Sequence, residues 1–389
     1  QISGRIRAAR GRGVKVLAID VPSGLDADRG QISADAIQAD VTVTFIQNKI
    51  GLCAAPGRFI AGRVIVAGIG IPSGWTNQVL EAGLSDGRPD IRLIEASDVR
   101  SIRPYRAADS HKGLFGRVLV AGGASGMPGA VLLAAEAAAR SGAGLLSVAV
   151  PEAIGSLILA ARPEGLLLTI RESDSNCPED TGQNDQAPGK LLAVQTAVAI
   201  GMGAGRANWL TAWLPACIAE ASGLLLDADA LNLIAEQPEY YFQLLDNRRQ
   251  KKLPPAIITP HPGEFRRLAP EIPLTDRQAA ARNLADRCGA IVVLKGAATV
   301  VAVPEGPVWI NPTGNDGLAK GGSGDVLAGL IAGLLSQGLL AENAAIAGVY
   351  LHGLAADLAA GRLGRRSLLA GDVLAAIGEA FAAAGWEHG

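Results

Sequence analysis

The chain has 389 residues, 49% hydrophobic and 19% charged, with 35 Lys plus Arg against 37 Asp plus Glu and a net charge of −2. That apolar content supplies one large core or two smaller ones and excludes disorder of the whole chain. No global basic excess points to nucleic acid, and the 49 glycines lack a Gly-X-Y period, which assigns them to turns and close backbone approaches.

Two α/β patterns follow one another. In the first, residues 14–20 read as a buried strand that breaks at Val21-Pro22-Ser23-Gly24, where proline lacks a donor and glycine permits a turn. Residues 41–46 and 63–67 read as two further strands. Three strands with little helix between them describe a thin domain, the back half of something larger. A connector rich in Pro, Gly and alternating charge follows over 71–110. The second pattern runs from about 111 to 386. Its strands are expected at 117–121, 145–150, 197–200, 223–227, 256–259 and 291–294, and its helices at 127–141, 275–288, 323–336, 341–360 and 370–384. Apolar strands alternating with such helices imply a largely parallel sheet covered on both faces. Segments 299–303 and 307–310 can add a hairpin, and the polar stretch 171–190 reads as an exposed, mobile insertion.

The apolar runs 117–121 and 223–227 are too short to span a bilayer, and Glu136, Arg140 and several glycines interrupt 127–150, so no membrane association is expected. Cysteines 53, 177, 217 and 288 and histidines 111, 261, 352 and 388 are scattered, without zinc spacing, which fits a reducing, cytoplasmic compartment. The chain opens on Gln1, as expected for a piece of a longer or processed protein, and shows no signal peptide.

The strongest chemical signal is Asn311-Pro-Thr-Gly-Asn-Asp-Gly-Leu-Ala-Lys-Gly-Gly-Ser-Gly-Asp325, followed by an apolar helix. The turn Gly321-Gly322-Ser323-Gly324 offers unpaired amides and a positive helix end to an anion. Asp325 in the first helical turn can take a proton from a substrate hydroxyl; the dipole alone would lower its pKa, so neighbours must tune it. The plainer alternative is a capped helix start. It is no Walker A motif, since Lys-Ser/Thr does not follow the glycines.

Other clusters follow strand ends. In Thr259-Pro-His261-Pro-Gly-Glu264, His261 is held between prolines and can touch a ligand, or Glu264 can simply cap the next helix. In Lys295-Gly296-Ala297-Ala298-Thr299, the lysine can neutralise phosphate or be a solvated side chain. Asp227 or Asp229 can hold a hydrated magnesium ion or cap a helix. Gly201 to Gly205 and Gly122 to Gly129 form glycine turns that do not spell the dinucleotide GxGxxG. His352 lies mid-helix and reads as packing. An open parallel sheet gathers its strand ends on one rim, which raises all these candidates together.

Residues 105–386 resemble the ADP/ATP-dependent NAD(P)H-hydrate dehydratase family through His111-Lys-Gly113, Gly122 to Gly129, Gly142-Ala-Gly144, Asp227 to Asn232, His261 to Glu264, Lys295-Gly296, Asn311 to Asp325 and Gly348 to Gly353. Residues 1–75 resemble the carboxyl-terminal portion of an NAD(P)H-hydrate epimerase through Ala18-Ile-Asp-Val-Pro-Ser-Gly-Leu-Asp26, Ala39-Asp-Val-Thr42 and Lys49, with 76–104 as connector. The resemblance implies a ribokinase-like α/β fold, an open, mostly parallel sheet flanked by helices, after an incomplete Rossmann-like epimerase domain. It implies that Ala130, Gly205, His261 and Asp325 touch the hydrate, that Lys295 to Thr299 and Gly324 hold the adenine nucleotide, and that Asp325 is the base. In the remnant, Asp20 would contact hydrate and Ser23 would bind potassium. Lys320 departs from the family pattern, where a small or hydroxyl residue such as Thr is expected.

The implied reaction is dehydration of the (6S)-hydrate by phosphoryl transfer from ADP with magnesium, giving AMP and phosphate; the longer parent would also epimerise the hydrates. Small-molecule substrates and a homo-oligomer are expected. A kinase of the same fold acting on a vitamin-precursor alcohol, or a non-catalytic nucleotide-binding protein, are the rivals.

Overall fold

The computed structural model describes residues 2–71, 75, 90–170 and 188–387. The expected insertion lies outside them over 171–187, as do residues 72–74 and 76–89 of the expected connector. The chain divides into two compact units, Gln1–Leu93 with Pro307–Pro312, and Ile94–Gly306 with Thr313–Gly389.

The first unit opens with the helix Ile2–Gly11 and carries β1 (Leu17–Ile19), β2 (Val41–Phe45) and β3 (Arg63–Ala67) as a parallel sheet in that order. β1 is shorter than the sequence predicts, starting at Leu17 and ending where Asp20 takes a left-handed backbone (φ 65°), and it is not the buried strand expected, since Leu17 and Ile19 are exposed. β2 inverts the usual pattern: Thr42 and Thr44 are buried. Their hydroxyls are satisfied, donating to Ala61 O (2.6 Å) and Asp20 Oδ1 (3.0 Å), which removes the penalty of burying them. The last strand of this run, β4 (Ile91–Leu93), is not foreseen in the sequence.

The second unit holds β5 (Arg117–Ala121), β6 (Leu145–Pro151), β7 (Leu166–Ile170), β8 (Ala197–Ile200), β9 (Gly223–Leu226), β10 (Ile257–Ile258), β11 (Ile291–Leu294) and β12 (Val300–Ala302). Their order is β12-β11-β10-β9-β8-β5-β6-β7. Every pairing is parallel except β11 with β12. β13 (Val308–Ile310) belongs to the first unit and runs parallel to β4.

The order reverses at β5: the chain leaves it for β6 and β7 on one side and returns to β8 on the other. A crevice opens at such a switch point, outside the carboxyl ends of the strands. Here the two glycine turns meet: Gly123 N–H donates to Met202 O (2.8 Å) and Gly201 N–H to Ala121 O (3.0 Å). β8, β9 and β11 are buried at every residue, as central parallel strands must be.

The helix Ser323–Ser336 is buried along almost its whole length, against the helices Pro128–Arg140 and Ala341–Leu363 and strands β5, β8 and β9. Its all-round apolar sequence reflects that position. Gly329 and Gly333, four apart, let it approach Pro128–Arg140 closely: a Cβ at Gly329 would overlap Ala134 O, and one at Gly333 would overlap Ser141 Oγ. The helix Ala341–Leu363 is long and apolar enough to cross a membrane by length and composition, yet 67% of its most apolar window is buried inside the protein.

Several elements escape the sequence reading. β7 and the helices Glu152–Ala161, Asn208–Glu220 and Pro238–Gln250 are unforeseen, whereas Asp229–Glu236 is the helix expected after Asp227. Asn208–Glu220 carries Pro215 in its interior, which reads as a breaker in sequence. The expected helix over 370–384 is two, Ala370–Ala375 and Ile377–Ala383.

Gly329→Ala should destabilise the protein by about 1–3 kcal/mol through overpacking, lowering the urea midpoint at unchanged m. Gly361→Ala, whose added methyl meets nothing within 4 Å, should not lower it.

Candidate active site

Three strand ends and one helix start converge at Lys295. This residue follows β11, and its backbone N–H donates to Pro260 O (2.9 Å). Its ammonium lies 2.7 Å from Asp227 Oδ1, after β9, and 3.7 Å from Glu264 Oε2, in the loop and helix after β10. Burial would lower the Lys295 pKa, but Asp227, Glu264 and Asp325 outweigh it and raise it. A Cβ on Gly324 would stand 3.3 Å from the Lys295 Nζ and 4.0 Å from Asp227 Oδ2. The glycine turn, the lysine and Asp227 therefore share one small space.

Asp325 sits in the first turn of Ser323–Ser336, after Gly322 in a left-handed conformation (φ 90°) that favours glycine. Burial pushes its carboxyl up to about 6; the negative charges of Asp227 and Asp229 add to the rise and Lys295 opposes it. The tuning that the sequence left to neighbours is thus upward, against the helix dipole. Such a carboxylate is ionised at neutral pH yet basic enough to accept a proton.

His261 and Glu264 form a reciprocal cap. His261 N–H donates to Glu264 Oε2 (2.7 Å), while Gly263 N–H donates to His261 Nδ1 (2.9 Å). Nδ1 being an acceptor, neutral His261 carries its proton on Nε2. Burial and the charges of Lys295 and Arg267 lower its pKa, which favours that neutral form. Burial raises the pKa of Glu264. The capping alternative for this loop is the one the structure shows, and Glu264 of that cap faces the lysine cluster.

Asp229 Oδ2 accepts the Gly205 N–H (2.7 Å), and its Oδ1 accepts from Asn232 Nδ2 (3.1 Å). Asn232 Oδ1 in turn accepts from Arg267 Nε (3.1 Å) and Nη2 (2.8 Å). Ala130 lies against the same turn: a Cβ on Gly203 would be 2.8 Å from that of Ala130. The segment Lys295 to Thr299 is a compact turn, with Gly296 (φ 138°) and Ala298 (φ 53°) in unusual conformations and Thr299 Oγ1 donating to Gly296 O (2.9 Å). Arg277 Nη2 holds it from beneath, donating to Leu294 O (3.0 Å) and Lys295 O (3.1 Å). Lys320 points its Nζ at Arg366 O (2.7 Å). His352 is buried as expected, and its Nε2 has no partner among the described residues.

The structure corrects one expectation. Asp227 is not an open metal ligand, since the Lys295 ammonium occupies its Oδ1. Among the described residues, no group of three or more His, Cys, Asp or Glu could hold a metal ion. Asp20 and Ser23 belong to the first unit. There Asp20 Oδ1 accepts from Lys49 Nζ (2.7 Å), Thr44 Oγ1 (3.0 Å) and Phe45 N (3.3 Å), and the Lys49 bond leads the effects that lower its pKa. Ser23 is exposed. Sequence reasoning missed Arg277 and Arg267, which act through backbone carbonyls and another side chain and so leave no motif.

Two predictions follow from these charges. The unfolded Asp325 carboxyl titrates near 3.8 and the folded one near 6, so its burial cost is absent below 3.8, grows between, and is complete above 6. Asp325→Asn should therefore stabilise the protein by about 1–3 kcal/mol at pH 8 and by little at pH 4, in urea titrations at both pH values. Lys295→Met should cost about 3–5 kcal/mol at pH 8, because it leaves buried carboxylates without a counter-charge. The loss should shrink at acid pH as Asp325 and Glu264, both with raised pKa values, protonate.

Residues 118–378 match the family described as NAD(P)H-hydrate dehydratase, and residues 2–51 match that described as YjeF-related protein N-terminus. The bifunctional NAD(P)H-hydrate repair enzyme Nnr of Moorella thermoacetica is 42% identical over 370 residues, covering 92% of this chain and 65% of its own length. The Escherichia coli enzyme of that name is 36% identical, covering 97% of this chain and 67% of its own. The chain thus spans about two thirds of the length of these relatives. Among solved structures, the Bacillus subtilis ADP/ATP-dependent NAD(P)H-hydrate dehydratase, co-crystallised with ATP and magnesium, superposes with a TM-score of 0.63 at 31% identity, over 75% of this chain and 98% of that one. With two thirds of its residues in the family match and its strand-end cluster on the ribokinase-like sheet, the chain belongs to the NAD(P)H-hydrate dehydratase family.

Proposed function

We propose that the second unit dehydrates the (6S)-hydrate of NADH or NADPH with ADP as phosphoryl donor. The observation that carries this reading is the Asp325 carboxylate, tuned to about 6, in the first turn of a helix whose glycine turn lies against Lys295. Asp325 takes the proton of the C6 hydroxyl. That oxygen attacks the terminal phosphorus of ADP, the bond to the bridging oxygen breaks, and AMP leaves. The backbone amides of Gly322, Ser323 and Gly324 take the charge of the transferring phosphoryl group, aided by the helix dipole. The ring nitrogen lone pair then expels phosphate from C6, and loss of the C5 proton restores the reduced nicotinamide. A poor leaving group, hydroxide, is replaced by a good one.

Ala130, Gly205, His261 and Asp325 are assigned to the hydrate, and Lys295, Gly296, Ala297, Ala298, Thr299 and Gly324 to the nucleotide. Neutral His261, with its proton on Nε2, supplies a hydrogen-bond donor. Magnesium requires few protein ligands when phosphates supply the rest. It would offset phosphate charge during the transfer. Residues 105–386 constitute this domain, and 1–75 the carboxyl-terminal portion of an epimerase domain in which Asp20 contacts hydrate and Ser23 helps bind potassium. The longer parent would be bifunctional and homo-oligomeric.

Incubation with hydrated NADH and ADP or ATP should return the near-ultraviolet absorbance of the reduced ring and release phosphate. A stable phosphoester of another alcohol would instead support a kinase. The rate should fall below about pH 6 as Asp325 protonates. Asp325→Asn should still bind ADP but release no phosphate; turnover at the unsubstituted rate would remove Asp325 from the role of base.

A further inference from the structure

An open cavity of about 710 Å³ in the second unit is lined by Gly205, Asp229 and Asn232, and by three arginines, Arg206, Arg266 and Arg267. That size falls in the range of small-molecule sites. The acidic groups on its wall are largely engaged. Asp229 accepts from the Gly205 amide and from Asn232, and Asn232 is held by Arg267. The remaining carboxylate, Glu236, is half exposed and stands 3.5 Å from an Arg206 side chain that is 95% exposed, a weak and solvated contact. Arg266 is exposed and makes no hydrogen bond or ion pair among the described residues. Two guanidinium forks are therefore available, and such forks favour phosphate.

The cavity also adjoins the hydrate end of the active site. Gly205 is part of its wall. A Cβ on Gly263 would stand 2.6 Å from His261 Cε1 and 3.9 Å from Arg267 Nη1, so the imidazole and that guanidinium flank one glycine.

We infer that this cavity binds a phosphate of the hydrated dinucleotide, through Arg206 and Arg266: the pyrophosphate, or the 2′-phosphate of the NADPH form. The inference rests on the functional reading above, which places the ring at Asp325. Neither arginine is buried, so their replacement should leave the fold intact.

The test is the double variant R206Q/R266Q, with the KM of each hydrate and of ADP measured separately. Loss of charge-assisted bonds should raise the hydrate KM by about tenfold and leave the ADP KM unchanged. An equal rise for both hydrates assigns the pyrophosphate, and a larger rise for the NADPH hydrate assigns the 2′-phosphate. R206K/R266K should recover part of the affinity. Hydrate KM values unchanged within about twofold overturn the inference. If the unsubstituted protein turns over no hydrate, the functional reading fails by itself. Calorimetric titration with NADPH and NADH then decides the cavity: weaker binding by R206Q/R266Q supports it, and equal binding overturns it.

Discussion

One ammonium group holds the active site together. Lys295 Nζ stands between Asp227 and Glu264, with Asp325 close enough to act on its pKa. These residues come from the ends of β9 and β11, the helix after β10, and the start of Ser323–Ser336, so the cluster ties together elements distant in sequence. Three carboxylates against one buried cation is an unbalanced arrangement, since desolvating ions is expensive and only good pairing offsets it. Asp227 takes the direct contact with the ammonium. Glu264 and Asp325 do not, and both have raised pKa values. The same imbalance that costs stability gives Asp325 a proton affinity suited to general-base chemistry.

The surroundings prevent this cluster from relaxing. Arg277 fixes the turn that carries Lys295 through two backbone carbonyls. The chain of bonds from Gly205 through Asp229 and Asn232 to Arg267 fixes the opposite wall. Ser323–Ser336 cannot slide, because Gly329 and Gly333 press its backbone against Pro128–Arg140. Catalytic positioning is thus inherited from close packing deep in the unit, which tolerates little displacement.

Much of this was legible in the chain. Apolar runs of four or five residues located the central strands, and the glycine turn with its following helix located Asp325. The glycine, aspartate and histidine clusters at strand ends pointed to one rim. What could not be read has physical causes. Asp227 suits a metal by composition, and only its 2.7 Å contact with Lys295 shows where its charge is directed. Pro215 argues against a helix, yet tertiary packing supports one around it. Thr42 and Thr44 belong on a wet face by polarity, and lie buried because each hydroxyl finds an acceptor.

By itself, the sequence determined which segments are strands of a parallel sheet, which loops are glycine turns, and which residue types stand at the strand ends. Those properties are local: hydrophobic period, turn chemistry and side-chain type all act over a few residues. Only the tertiary structure decided the strand order that puts β5 between β8 and β6, and with it the crevice where the loops meet. It also decided that Asp325 titrates near 6, because a pKa depends on burial and on charges brought near by folding, and neither is a property of neighbours along the chain.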